Sequence, residues 1–486
     1  PGGRKKRRSN PEISKRYLKP RWGYLSQDKH GVLHIEGNSV EQLAKKYGTP
    51  LYVLVEGELR KRFRRFKAAF ASYPRLRPQY ACKINTNLEV MRIAREEGFE
   101  IDASSIGEVI LALLADFRPG QITFTNLYKT EQDIQFAAEV GVHAITADSI
   151  EEIVKIIKVG EKLMKKMPLF IRVNPMISYG PKYSTKTHQY GIPYAYAKKA
   201  IQIAVNSEWI ELKGFHFHGG YIFDPKVYEI AAKKLLPLYK FARSLGAKPH
   251  FIDLGGGFPA DYTNIKSFQP EDMGETFVRN FQKMIKDMKL PMPILIFEPG
   301  KFITTNAMVG LIKIISSKQL GSKSYLVSDG GTYCFLPDII IYNWKYDILP
   351  ANKMNKPRRK EYTVTGCTCD NIDVISKKAY LPTLKENDLL AIMDVGAYSN
   401  VLASNFNTLK RSPMVIIHED GSVKMIRRRD RYSEMFAPEL DVLKIADPKE
   451  LKGFYNLHRR DIDKIWKDHI SSTGSSTPNG SGTEIK

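Results

Sequence analysis

The sequence predicts an α/β fold: a (β/α)8 TIM barrel joined to a second, mainly antiparallel β-barrel or sandwich domain. Between Thr49 and Phe297, short apolar β-branched runs alternate with longer helical patterns, the signature of repeated βα units around a parallel sheet. About eight such units over roughly 250 residues is the size of one closed barrel. After Pro299 helical periods become rare, and strands separated by turn signals take over.

The strand candidates of the first region are, in order, 51–55, 79–82, 100–102, 122–124, 144–147, 169–173, 214–218, 251–254 and 294–297. The second region offers 310–316, 325–328, 362–366, 389–394 and 414–418, and 416–427 reads as a hairpin turning at Asp420-Gly421. The stretch 31–35, before the barrel, is expected to join the β domain, so that both ends of the chain build one unit. The expected divisions are a basic disordered tail (1–16), a leading segment joining the β domain (17–49), the barrel (50–303), the β domain (304–455), and a C-terminal helix with a disordered Ser/Gly-rich tail (456–486).

At 486 residues the chain is long enough for two folded units. No run of about 18 uncharged apolar residues is present to span a bilayer. The N-terminal stretch is basic and lacks the apolar segment of a secretory signal, so a soluble, cytoplasmic protein is expected. Four cysteines at uneven spacing make no disulfide framework, and Cys-Thr-Cys is not a usual zinc spacing. The net charge of +23 invites a nucleic-acid reading. Much of it falls in the tail block Arg4 to Arg8, in Arg358 to Lys360 and in Arg427 to Arg429, polar segments that read as solvated, so a basic soluble protein is the preferred reading.

In a (β/α)8 barrel the site lies at the carboxyl ends of the strands, so polar residues there are the candidates. Lys83 follows the apolar run Tyr80-Ala81-Cys82. A lysine desolvated there would have a lowered pKa and could form a Schiff base with an aldehyde, although a lysine ending a strand is more often a snorkelling surface group. Gly255, Gly256 and Gly257 follow Asp253-Leu254 and would let backbone amides approach an anion; a plain turn has equal weight. Glu298, before Pro299-Gly300, could keep a pyridinium nitrogen protonated, or cap the next element. His216 and His218 alternate with phenylalanines along one strand, a hydrogen-bonded or stacking pair rather than a metal site, since no third ligand is evident. In the β domain, Cys367-Thr368-Cys369-Asp370 combines possible proton donors with a carboxylate, though each is individually more often structural.

Taken in order, these residues resemble a family. Tyr80-Ala81-Cys82-Lys83 with Asn85, Asp102-Ala103-Ser104-Ser105 with Gly107-Glu108, Arg172-Val173-Asn174-Pro175, His216-Phe217-His218-Gly219, Asp253 to Phe258, Glu298-Pro299-Gly300, Cys369-Asp370 and Asp394-Val395-Gly396-Ala397-Tyr398 are similar to the motifs of the diaminopimelate decarboxylases. Their relatives, the ornithine and arginine decarboxylases of the alanine-racemase-like fold, share the pattern. The resemblance runs from about Gly31 to Val415. It implies pyridoxal 5'-phosphate as cofactor, no metal, and a homodimer with shared active sites. Lys83 would hold the cofactor, beside Asp102, and His218 would stack on its ring. Glu298 would meet the ring nitrogen. Gly255, Gly256, Gly257, Gly300, Lys301 and Tyr398 would surround the phosphate, with Lys301 and Tyr398 also reaching substrate. Cys369 and Asp370 would enter the partner's active site, the thiol as proton donor and the carboxylate for a distal amine.

The chain departs from the family where substrate is chosen. Diaminopimelate enzymes usually read Glu-Pro-Gly-Arg, and a second arginine precedes a proline after the next strand; here the positions are Lys301 and Leu336. Neither offers the two-pronged guanidinium that grips a carboxylate. Asp370-Asn371 replaces Glu-Ser, and Tyr221 stands where a serine often contacts phosphate. The expectation is therefore α-decarboxylation of a basic amino acid, ornithine or lysine of either hand. The alternatives are a true meso-diaminopimelate decarboxylase making L-lysine, and an inactive regulatory homologue that binds a protein partner.

Overall fold

A computed structural model describes residues 18–181, 183–262, 267–439 and 441. The expected N-terminal tail and C-terminal helix and tail lie outside the described residues. Eight parallel strands, Gln79–Ala81, Glu100–Ala103, Ile122–Thr125, Ala144–Ala147, Met167–Asn174, Ile210–His216, Phe251–Asp253 and Ile294–Ile296, pair in sequence order. The seam between the last and the first closes through backbone bonds: Arg77 N–H to Leu295 O at 2.9 Å and Gln79 N–H to Phe297 O at 2.8 Å.

Local chemistry sets the helix starts. Asn87, Ser105, Thr130 and Ser149 each occupy an N-cap, their side-chain oxygens accepting from Glu89, Glu108, Asp133 and Glu152 N–H groups. The fifth strand alternates as a barrel strand must. Leu169 and Ile171 join the large core under the helices, whereas Phe170 joins Ala144, Phe251 and Ile296 in a separate buried cluster. Beneath the helices an aromatic block forms around Phe258, which stacks on Tyr228 at 4.9 Å and meets Phe66 edge-on at 4.9 Å.

One expected barrel strand belongs elsewhere. Leu51–Val55 lies in the second sheet, antiparallel to Met308–Leu320 and parallel to Met414–Ile417. All five of its residues are buried, so no face alternation marked its sheet, and the helix Glu56–Ala69 after it imitates a βα unit. The second sheet continues through Lys323–Ser328, Lys360–Thr365 and Val374–Leu381, with Leu389–Ile392 on the long strand and Val423–Arg427 closing the expected hairpin at the other end. The leading segment forms its own small sheet, Leu25–Gln27, Leu33–Ile35 and Asn38–Ser39. Its Leu33 and Ile35 pack on Leu51, Val53, Val309 and Val415, and Leu33 N–H reaches Ala351 O at 2.7 Å. No helix among the described residues is long and apolar enough to cross a membrane.

Because Phe258 is 1 % exposed and joins the glycine turn to the aromatic block, Phe258→Ala should destabilise the fold by about 3–5 kcal/mol. Urea unfolding followed by tryptophan fluorescence checks this.

Candidate active site

Sequential strand order places the residues after the first strand beside those after the eighth, and that adjacency assembles the site. Lys83 sits in the tight turn Cys82–Ile84 following the first strand. Its Nζ lies 3.1 Å from Asp102 Oδ2 on the second strand. Glu298 follows the eighth strand, and its Oε1 accepts from His216 Nε2 at 3.0 Å. Asp253, ending the seventh strand, accepts the Gly255 N–H at 2.8 Å. Thus His216, Asp253 and Glu298 bring their ligating atoms within 4.8 Å of one another, and His218, the other histidine of the strand, is not in this group.

The charges of this cluster are interdependent. Burial would lower Lys83, but Asp102 and Glu298 outweigh it and hold the ammonium above its usual range, the opposite of the lowering expected from desolvation alone. Burial and the nearby Glu298 push Asp102 up to about 7 against the pull of Lys83. Burial alone would raise Glu298; His216 and Lys83 instead keep it well below the carboxylate range, while burial and Glu298 push Asp253 up. Burial lowers His216, whose Nε2 faces Glu298.

His218 lies just beyond the sixth strand. Its Nδ1 accepts the Gly256 N–H at 3.0 Å, and burial with the Lys83 charge pushes it down to about 3, fixing a neutral ring with the hydrogen on Nε2. The glycine turn has a structural cause beyond anion approach. A Cβ on Gly256 would come 2.4 Å from Glu298 O, and one on Gly255 2.3 Å from Phe217 O. Two of the three amides are already taken by Asp253 and His218, leaving Gly257 without such a partner among the described residues. Gly300 likewise admits Ile84, whose Cγ1 would lie 2.4 Å from an added Cβ.

Lys301 is boxed by aromatic rings: its Nζ stands 3.9 Å from the Tyr221 ring centroid, 5.5 Å from Tyr342, 5.7 Å from Trp344 and 5.2 Å from Tyr398. No carboxylate of the described residues is within ion-pair distance. Burial lowers it to about 8, opposed by Asp338. Tyr398 arrives from the β domain on a turn in which it and Asp394 have positive φ, 60° and 63°. That turn is held by Asp394 accepting from Trp22 Nε1 at 2.9 Å, Asn306 Nδ2 at 2.8 Å and Arg21 at 2.8 Å, and by Tyr398 N–H bonding Ile84 O at 3.1 Å.

Cys369 and Asp370 are not brought to this cluster. They occupy an exposed loop between Lys360–Thr365 and Val374–Leu381, and no hydrogen bond or ion pair links them to Lys83, His218 or Glu298. Asp373 pins the loop: Oδ1 accepts Thr332 N and Oγ1 at 2.7 and 2.9 Å, and Oδ2 accepts Thr368 N and Oγ1 at 3.1 and 2.8 Å. Sequence reasoning missed Asp373 and the walls Tyr342 and Trp344. An acid directly before an apolar strand was the available signal for the first; nothing local marks the others.

A half-buried amine paired with a carboxylate, a low-lying carboxylate, a neutral imidazole and a caged ammonium without an ion-pair partner among the described residues fit an aldehyde-bearing, phosphate-bearing pyridine. Such a barrel and such a site define a pyridoxal-phosphate enzyme. The family model for "Pyridoxal-dependent decarboxylase, pyridoxal binding domain" matches residues 56–305, and the chain belongs to that family, with pyridoxal phosphate as its cofactor and carboxy-lyase chemistry of the diaminopimelate, ornithine and lysine type.

Among its relatives, diaminopimelate decarboxylase of Methanothermobacter thermautotrophicus is 31 % identical over 415 residues, covering 83 % of this chain and 95 % of that one. That of Archaeoglobus fulgidus is 30 % identical over 410 residues, covering 83 % and 96 %. The solved diaminopimelate decarboxylase from M. jannaschii superposes with a TM-score of 0.80 at 27 % identity, covering 86 % of this chain and 98 % of that one.

The Lys301 cation is present below about pH 8 and lost above it. Where Lys301 meets the cofactor phosphate, as the resemblance implies, cofactor affinity, followed by pyridoxal phosphate absorbance, should weaken as pH rises through 8, and Lys301→Arg should flatten that dependence because a guanidinium stays charged.

Proposed function

We propose that this chain removes the α-carboxylate of a basic amino acid, ornithine or lysine, at a site completed by a second copy of itself. The observation that carries the substrate reading is the Lys301 box. Where the family places a guanidinium, the cation here is an ammonium surrounded by four rings. Leu336, at the second position, is fully buried in the core. Arg172, the arginine among the quoted motifs, is turned to Asp148 at 3.2 Å. A distal carboxylate would find no two-pronged partner at these positions.

In this reading Lys83 holds the cofactor, with Asp102 fixing the amine. Glu298 faces the ring nitrogen, kept anionic by His216. His218 lies against the ring, oriented by Gly256. Lys301, Tyr398, Gly257 and Gly300 surround the phosphate. When bound, the cofactor supplies an electron sink for the pair left as CO2 departs. The partner's loop then supplies what the barrel lacks. The Cys369 thiol gives a proton to the carbon that lost CO2, and Asp370 takes the distal ammonium. The Tyr333 hydroxyl donates to Asp370 and, with the Ile372 N–H, holds its carboxyl below the usual range, so it stays anionic.

Two measurements test the reading. CO2 release should be seen from D or L ornithine or lysine; release from meso-diaminopimelate alone would overturn the substrate assignment and favour the activity named for the relatives. Lys83→Ala and Cys369→Ala chains should each be inactive. Mixed and reassociated, they should recover about a quarter of wild-type activity, because random pairing makes half the dimers hybrid with one intact site each. No recovery would sink the shared site.

A further inference from the structure

The loop that carries Cys369 is met by a second turn, 405–409, in an arrangement that acts on the thiol itself. Asn407 has φ 53° and ψ 25°, left-handed backbone that asparagine tolerates better than most residues. Among the described residues its side chain makes two hydrogen bonds, both to Cys369. The Cys369 N–H donates to Asn407 Oδ1 at 2.9 Å, and Asn407 Nδ2 donates to Cys369 Sγ at 3.3 Å. The first contact fixes the amide orientation, since only an oxygen accepts from a backbone N–H, and the atom facing sulfur is then the NH2 group.

The turn is held for this purpose from both sides. Asn405 Nδ2 donates to Leu409 O at 2.9 Å and to Asp430 at 3.0 Å. Phe406 packs on Tyr333 at 4.4 Å, and the Tyr333 hydroxyl donates to Asp370, the residue after Cys369. Tyr333, Phe406, Asn407, Cys369 and Asp370 therefore close a ring of contacts, with Asp373 pinning the far end of the loop.

We propose that Asn407 is a positioning residue for Cys369, its amide occupying a sulfur lone pair so that the S–H points away from the loop. When the thiol gives up its proton, the electron pair stays on sulfur, and the amide N–H already faces it. No rearrangement of the loop is needed at that moment. The inference rests on the reading of Cys369 as proton donor.

The test is Asn407→Asp, which keeps an acceptor for the Cys369 N–H and suits the left-handed backbone, but sets a negative oxygen against sulfur. Asn407→Gly suits the backbone equally and removes both contacts. In a Cys367→Ser chain Cys369 is the remaining exposed thiol of the two, Cys82 and Cys334 being buried. Iodoacetamide alkylation of Cys369 should then move to higher pH in Asn407→Asp, without substrate present. The turnover rate should fall roughly ten-fold at nearly constant KM. In a Cys369→Ser background Asn407→Asp should change the residual rate no further. An alkylation profile unchanged by Asn407→Asp, or an equal loss of rate without the thiol, would overturn the proposal. Full activity of Cys369→Ser would instead overturn the proton-donor reading, and the alkylation profile would still decide whether Asn407 acts on sulfur.

Discussion

Two carboxylates, Asp102 and Glu298, face the Lys83 ammonium from opposite sides of the seam where the barrel closes, and the charge state of the whole site follows from that arrangement. Buried anions are costly without a partner, so the lysine and the acids depend on each other. Glu298 is held low because His216 donates to it and the Lys83 charge lies near, while burial and Glu298 push Asp253 up. His218, kept neutral by burial and by the same lysine, is oriented by a backbone amide rather than by an acid.

The β domain is more than a support for this cluster. Its turn 394–398 delivers Tyr398 to the Lys301 box, and Gly396 passes so close to Thr304 that an added Cβ would lie 1.7 Å from its carbonyl oxygen. The turn is tied at Asp394 to Arg21 and Trp22, from a segment that precedes the residues matched by the family model. The same domain presents Cys369 and Asp370 on an exposed loop preorganised by Asp373 and Asn407. One domain thus serves two sites in the proposed dimer, its own barrel through Tyr398 and the partner's through the loop.

The βα rhythm was legible because parallel strands buried on both faces read as short apolar runs, and longer helical periods separate them. Leu51–Val55 was misplaced for that same reason: a strand buried on both faces carries no sign of which sheet it joins. Lys83, Glu298 and the glycine turn were visible as polar or glycine interruptions at strand ends. What they do to each other was not visible. Desolvation alone predicts a lowered lysine, and only the distances to Asp102 and Glu298 reverse the sign.

By itself the sequence determined the class of fold, the order of its units and the ordered motifs of a pyridoxal-phosphate decarboxylase, since periodicity and residue type are properties of the chain. Tertiary structure alone decided that Lys301 lies among Tyr221, Tyr342, Trp344 and Tyr398, that His216, Asp253 and Glu298 meet, and that Asn407 reaches Cys369. Those contacts join residues far apart along the chain. Their energies depend on separation and burial, which no local pattern encodes.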